Sequence, residues 1–452
     1  MASTPSQIKH FEVLSDDGRR PIVLHIGDSI KYNLATYTEF SQAFEVIRPS
    51  TAERERSEFK KALKERRWGH FSAIFRPFWG TGGEMGRWDA DLINLLPISV
   101  KVFASAGAGF DWADTKVLGE RGPAAAEAVA DFAVAMVIST FRHLPWCMGA
   151  ATLPYFLSTP SSPDFTTASV ASTASKTFQA CHSLATAVSH NPRNHVLGII
   201  GLGNIGQQIA AKLGSAFGMR IAYYDVVRKP APLESSLGAT YHSSLEKLLA
   251  MSDCAVLCTP ASADGRPIIT TDVLKHIKKG SRFVNVARGS FVDEEALADA
   301  LEDGRISAAA LDVHAKEPSV SQRLVKMAFG EHDIVRSNSQ KEAKSSFDHP
   351  GKVMLTCHNA GGTVETHIGF EELSMRNIMA VLGGQKAITP VNMHYLKATE
   401  YRALSAMINA TVIGAAKIKR PAKVSPWWGR YISEVAGDEF KGQPLLVERG
   451  PK

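Results

Sequence analysis

The stretch Gly198-Ile199-Ile200-Gly201-Leu202-Gly203-Asn204-Ile205-Gly206 decides how the rest of the chain is read. An apolar, β-branched run over 196–200 leads into it and a helical pattern over 204–217 leads out, so a glycine turn sits between a strand and a helix. A dinucleotide-binding turn needs that setting. Gly201 permits the tight turn, Gly203 lets a pyrophosphate approach the backbone, and Gly206 lets helix and strand pack closely, with the helix amides facing the phosphates. The glycines alone also fit an ordinary tight turn. A second strand-like run over 220–224 ends at Asp225, nineteen residues after Gly206, where a carboxylate can accept hydrogen bonds from an adenosine ribose diol. Asp225 would repel a 2′-phosphate, which favours NAD over NADP; Arg228, three residues on, would attract one.

Around this centre, 452 residues leave room for two domains with sizeable cores. With 44% hydrophobic and 21% charged residues, the composition is that of a globular protein. The net charge of +6 is spread through helices and enriched in the tail, which reads as solvated surface rather than a nucleic-acid site. Cys147, Cys181, Cys254, Cys258 and Cys357 form no CxxC pair and read as reduced thiols of a cytoplasmic protein, and no metal-ligand set is expected. The acidic N-terminal segment has no apolar core of a targeting peptide. The longest apolar run, 124–141, contains Glu127 and Asp131 and is too short to span a bilayer, so no membrane partner is expected.

From Pro21 the pattern alternates: strands at 22–26 and 44–47, a charged helix at 51–67 burying Phe59 and Leu63, a strand at 71–75, a short helix at 88–96 and a strand at 100–104. That last strand runs into the glycine loop 107–111, whose amides lie at the carboxyl end of a strand, where open α/β sheets bind ligands. A long apolar helix at 122–144 reads as a connector. Ten of the eighteen residues over 158–175 are Ser or Thr, with Pro160 and Pro163, and the segment reads as mobile chain. Beyond Asp225 come a helix at 244–251, a strand at 254–258, a helix at 271–277, strands at 282–287, 308–313 and 353–357, and helices at 294–302 and 367–382. Residues 397–452 carry clustered Lys, Arg, Pro and Trp without a repeat.

Three strand ends carry chemistry. Arg288, Glu317 and His358 all follow predicted parallel strands, on the edge that faces a dinucleotide. A guanidinium fork is shaped to bind a carboxylate and polarise a carbonyl, a histidine transfers protons near neutral pH, and a carboxylate fixes its tautomer. This set suits reduction of a 2-keto acid, the cofactor supplying the hydride. Singly, Arg288 also reads as a surface cation, Glu317 as a loop acid before Pro318, and His358 as a core or capping histidine. His314 and His367 read as structural.

The stretches 201–206, Asn285-Val286-Ala287-Arg288-Gly289, 311–318 and Thr356-Cys357-His358-Asn359-Ala360-Gly361-Gly362-Thr363 together resemble the D-isomer-specific 2-hydroxyacid dehydrogenase family. Residues 106–112, 190–198 and 223–226 are similar to its fungal mandelate-oxidising branch. The resemblance covers about residues 20–395. It implies Arg288 as the group that binds and polarises substrate, His358 as acid/base and Glu317 as its partner. It also implies Ala108 and Gly109 as the seat of the substrate carboxylate. Cofactor contacts are implied at Asn204, Ile205, Asp225, Thr259, Pro260, Val286, Ala287, Asp312 and Gly361, besides the three turn glycines. The chain departs from the family where Pro123 opens the connecting helix at once, in the Ser/Thr-rich segment, in a polar insertion near 330–348, and at Cys357, which replaces a proline.

The fold expected is α/β, with two Rossmann-like parallel-sheet domains. A flavodoxin-like substrate domain (20–120, completed by 362–396) would carry an inserted dinucleotide-binding domain (121–361) with disordered insertions at 154–176 and 330–348, and 397–452 would be an extension of unplaced structure. The expected activity is NAD-dependent interconversion of a small D-2-hydroxy acid and its 2-keto acid, with Phe78 and Trp79 favouring an aromatic side chain. The family implies a homodimer. Glyoxylate or hydroxypyruvate reduction is the enzymatic alternative; a corepressor-like dinucleotide-sensing interaction protein, or an inactive member, is the alternative of another class.

Overall fold

Short runs of Val, Ile, Leu, Phe and Ala bounded by turns make strands with two apolar faces, which are stable only when helices cover both. The computed structural model describes residues 18–77, 85–105, 126–157, 167–259, 266–329 and 351–388. Strands β1 (Ile22–His25), β2 (Glu45–Ile47), β3 (Ala73–Arg76) and β4 (Val102–Ser105) form a parallel sheet in the order β2-β1-β3-β4, the start of a flavodoxin-like order. One face packs on Phe59, Leu63 and Trp88; the other on Phe40, Met375 and Ile378. Phe40 comes from helix α1 (Leu34–Ala43), and Phe59 and Leu63 from α2 (Arg56–Lys64). Met375 and Ile378 belong to the chain's last described helix, Val364–Leu382, which Thr363 caps through the amide of Thr366. The last helix is also stitched to this sheet by charge: Glu371, fully buried, accepts the amides of Lys31, Tyr32 and Asn33 at 2.8, 2.9 and 2.8 Å.

The second sheet is built from β5 (Val196–Ile200), β6 (Arg220–Tyr224), β7 (Ala239–Tyr241), β8 (Cys254–Leu257), β9 (Ser281–Asn285), β10 (Ile306–Leu311) and β11 (Val353–Leu355). Its order is β11-β10-β9-β8-β5-β6-β7, every pair parallel. The order reverses between β5 and β8, the switch point at which such sheets open a crevice for a dinucleotide. On one face, Ala133, Met136 and Phe141 of helix Ala126–Arg142 pack with Ile209 and Leu213 of helix Asn204–Ser215 against Leu197 and Ile199. On the other face lie Leu248, Leu274, Leu297 and Leu301.

The chain departs from its sequence pattern in several places. The segment 154–176, expected as a disordered insertion, is helical where it is described, in helices Leu144–Leu157 and Thr167–Val188. Ser and Thr are only mildly unfavourable inside a helix and Ala is the best former; the second helix buries Cys181 and Ala185 against Trp146 and Ala150 of the first. The helix expected over 51–67 is a 3-10 turn (Ala52–Arg54) followed by α2, because Glu55 leaves the helical region with ψ of 133°. Helices Ala231–Leu237 and Gln322–Phe329 and strand β7 were not legible in the periodicity. The insertion 330–348, the extension 397–452, Phe78, Trp79 and the region around Pro123 lie outside the described residues.

Candidate active site

Parallel pairing aligns the carboxyl ends of six strands in a single row. Tyr224 pairs with Ile200, Ile200 with Leu257, Leu257 with Asn285, Asn285 with Leu311, and Leu311 with Leu355. Just past this row, in the same strand order, come Asp225, Gly201, Thr259, Arg288, Glu317 and His358. Residues scattered over more than a hundred positions thus share one edge of the sheet.

The glycine turn fits a dinucleotide. Gly201 has φ of +97°, in the left-handed region, and a Cβ there would meet the Thr259 backbone at 2.9 Å. A Cβ on Gly206 would overlap the Gly201 carbonyl. Gly203 is the reverse case: it is the N-cap of helix Asn204–Ser215, no side chain caps it, and a Cβ there would meet nothing within 4 Å. Open space in front of uncapped helix amides is a cradle for phosphate. The Cys258 thiol, 3.1 Å from the Gly201 carbonyl, supports the turn from beneath; burial pushes it up to about 12, so it remains a donor. Asp225 accepts the Leu202 amide at 2.9 Å and pairs with Lys229 Nζ at 3.0 Å, which places its carboxylate at the mouth of the turn. Val286 and Ala287 are buried at the end of β9, and Gly361, whose carbonyl accepts the Thr363 amide at 3.0 Å, lies half-buried.

The groups expected to do chemistry are assembled by three adjacent loops. Arg288 follows β9, half-buried, with Nη1 2.7 Å from the Ala287 carbonyl. Asn285 shapes this turn: its side chain donates to the Arg288 carbonyl and accepts the Ala287 amide, both at 3.0 Å. The next residue, Gly289, lies so close to the His314 carbonyl that a Cβ would overlap it, which brings the Arg288 loop against the Glu317 loop. Glu317 accepts the His314 amide at 2.9 Å through Oε1 and receives His358 Nδ1 at 2.9 Å through Oε2. Burial raises the proton affinity of the Glu317 carboxyl, but the bonds from His358 and the His314 amide outweigh it and hold the group below its ordinary range.

His358 itself has φ of +56°, unusual for a side-chain-bearing residue. Asp312 holds that backbone. It is 1% exposed; Oδ1 accepts Thr356 Oγ1 at 2.7 Å and the Asn359 amide at 2.9 Å, while Oδ2 accepts the Ala360 amide at 2.9 Å. Asp312, read in the sequence as a cofactor contact, therefore spends its carboxylate on the loop that carries His358. His314, read as structural, is bonded through Nε2 to the Thr356 carbonyl at 2.8 Å. The sequence reading gave no part to Asn285, Thr356 or Gly289. Asn285 did leave a signal, a polar residue closing the strand that leads to Arg288. Ala108, Gly109 and Pro260 lie outside the described residues.

Residues 168–330 match the model of the D-isomer specific 2-hydroxyacid dehydrogenase NAD binding domain. The chain is 30% identical over 343 residues to 4-methyl-2-oxopentanoate reductase A of Aspergillus oryzae, covering 74% of this chain and 88% of the relative. Its structure is similar to that of Rhodotorula graminis D-mandelate dehydrogenase in its holo form, with a TM-score of 0.69 and 36% identity over 82% of this chain and 97% of the other. A glyoxylate reductase from Paecilomyes thermophila follows it with a TM-score of 0.64 and 28% identity over 82% of this chain and 98% of the other. A parallel sheet with a phosphate-binding turn at its switch point, and relatives matched over most of their length, lead to one assignment: the chain is an NAD(P)-dependent oxidoreductase belonging to the D-isomer-specific 2-hydroxyacid dehydrogenase family.

Proposed function

We propose that the protein interconverts a D-2-hydroxy acid bearing a bulky or aromatic side chain and its 2-keto acid, with NAD as the preferred cofactor. The observation that carries this reading is the 2.9 Å bond between His358 Nδ1 and Glu317 Oε2, one strand away from Arg288 on the edge that carries the glycine turn. Bound along that edge, the nicotinamide would supply or accept the hydride. Arg288 offers a planar two-pronged donor for the carboxylate and carbonyl oxygens of the keto acid. With Nδ1 committed to Glu317, His358 exchanges the proton through Nε2, giving it to the carbonyl oxygen in reduction and taking it from the hydroxyl in oxidation. Glu317 fixes the tautomer and offsets the charge on the imidazolium. Asp312 is a positioning residue, acting through the backbone of the 356–360 loop. Ala108 and Gly109 are proposed to receive the substrate carboxylate.

The bulky-substrate reading draws support from the mandelate dehydrogenase and 4-methyl-2-oxopentanoate reductase relatives. Glyoxylate or hydroxypyruvate reduction is the second reading, supported by the glyoxylate reductase neighbour. Steady-state NADH oxidation with benzoylformate, 4-methyl-2-oxopentanoate, glyoxylate and hydroxypyruvate separates them by kcat/KM. NADH binding with turnover of none would favour the dinucleotide-sensing interaction protein. We further propose a cytoplasmic homodimer, checked by light scattering and by microscopy of the tagged chain. Among the described residues no helix is long and apolar enough to cross a membrane.

A further inference from the structure

Two cations stand in the turn that follows Asp225, and each is already held by an acid. Lys229 Nζ lies 3.0 Å from Asp225 Oδ2. Arg228 presents both prongs of its guanidinium to Glu234, Nε to Oε1 at 3.0 Å and Nη2 to Oε2 at 2.9 Å. Glu234 is tied down in turn. Its side chain is 10% exposed and accepts the hydroxyl of Tyr223 at 2.6 Å, and that same hydroxyl receives the Lys229 amide at 2.9 Å. Tyr223 is fully buried on β6 and cannot follow Glu234 elsewhere.

The position matters because of what a second phosphate would need. If Asp225 receives the adenosine ribose, a phosphate on the ribose 2′-oxygen would come to this turn, and a guanidinium fork is the side chain best shaped to hold it. Arg228 is such a fork in such a place. Its face also lies 5.5 Å from the centroid of the Tyr241 ring, on the side of the sheet that Glu234 occupies. We propose that Glu234 is a cofactor-specificity residue: by engaging both prongs of Arg228 it withholds that guanidinium from the 2′-phosphate of NADP. Preference for NAD then rests on two acids, Asp225 by repulsion and Glu234 by sequestration.

The arrangement is insensitive to pH over any working range. The bond from Arg228, followed by that from Tyr223, holds the Glu234 carboxyl at about 2, and Glu234 raises Arg228 above its ordinary value. The inference rests on the dinucleotide reading of the glycine turn and deepens it.

The test is fluorescence titration of the full-length protein with NADH and with NADPH, which reads binding without turnover. Glu234→Gln keeps an acceptor for Tyr223 but releases the charge on Arg228; it should tighten NADPH binding about tenfold, the worth of a charge-assisted pair. NADH affinity should stay within about twofold, since no interaction with the free diol is removed. Adding Arg228→Ala to Glu234→Gln should cancel the gain. Arg228→Ala in the parent chain, which does not depend on how the Glu234 variant folds, should not raise the NADPH to NADH ratio, because it removes a guanidinium that is already engaged and leaves the Glu234 charge uncompensated. A rise in that ratio, or an unchanged ratio in Glu234→Gln, would overturn the proposal. A parent protein that binds neither nucleotide would instead overturn the dinucleotide reading.

Discussion

His358 and Glu317, 41 residues apart in the chain, meet at 2.9 Å through Nδ1 and Oε2 because β10 and β11 are neighbours in register. The pair is half-exposed, with side chains 34% and 37% accessible, so solvent weakens the interaction without removing it. A carboxylate stabilises an adjacent imidazolium, and Gln at 317 would orient the ring without supplying that charge. In Glu317→Gln kcat/KM should therefore fall, by about tenfold or more, for keto-acid reduction and for hydroxy-acid oxidation alike. The Glu317 carboxyl is held below its ordinary value, so the parent keeps this charge through weakly acidic buffer. Undiminished turnover in the variant in both directions would remove Glu317 from the site.

Arg288→Lys retains a charge but not a fork. Its kcat/KM for the keto acid should fall about a hundredfold, roughly 3 kcal/mol of transition-state stabilisation. NADH affinity, measured by fluorescence titration, should hardly change. Undiminished turnover would show that Arg288 is a surface cation.

Gly289→Ala should damage the site without touching a charged group. A Cβ at 289 overlaps the His314 carbonyl, so either the Arg288 loop or the Glu317 loop must retreat. Overpacking of this kind costs about 1–3 kcal/mol, which thermal unfolding will report as a lower Tm. Because both displaced loops carry groups of the candidate site, kcat/KM should fall further than in a variant of equal Tm loss made in the β2-β1-β3-β4 sheet. Loss of stability with undisturbed catalysis would contradict the coupling.

His25 predicts an acid-side weakness. Burial, aided by Arg48, lowers its value from 6.5 to about 3, and its Nδ1 lies 3.3 Å from the Tyr37 hydroxyl. The unfolded chain takes up this proton below about pH 6.5 while the native chain refuses it until about pH 3. Stability contributed at neutral pH is therefore lost as pH falls through that window, by up to about 1.4 kcal/mol per unit. In His25→Asn, which keeps a polar partner for Tyr37, the decline of Tm between pH 7 and 4.5 should be shallower. Parallel declines would exclude His25 as a source.

The sequence alone was enough for whatever depends on neighbours in the chain. Alternating apolar runs and glycine punctuation gave the β/α order, since strand and helix periodicities are local properties. Gly201, Gly203 and Gly206 were legible because a tight turn and a close phosphate each need a missing side chain at a set spacing. Arg288, Glu317 and His358 were legible as strand-end residues, and no further. That His358 is held by Glu317 depends on β10 and β11 lying side by side, and the partnership of Asp312 with Thr356 depends on the same pairing. Arg228 read as a cation free to meet a phosphate until the fold set Glu234 across from it on a seven-residue helix too short to show a period. Helix Thr167–Val188 did not show in its hydroxyl-rich start because the contact that holds it, Cys181 and Ala185 on Trp146 and Ala150 of the preceding helix, lies beyond that start and depends on the tertiary structure. Periodicity reports the face an element would bury; only the tertiary structure supplies the surface it is buried against, and charge pairing across strands follows from that surface.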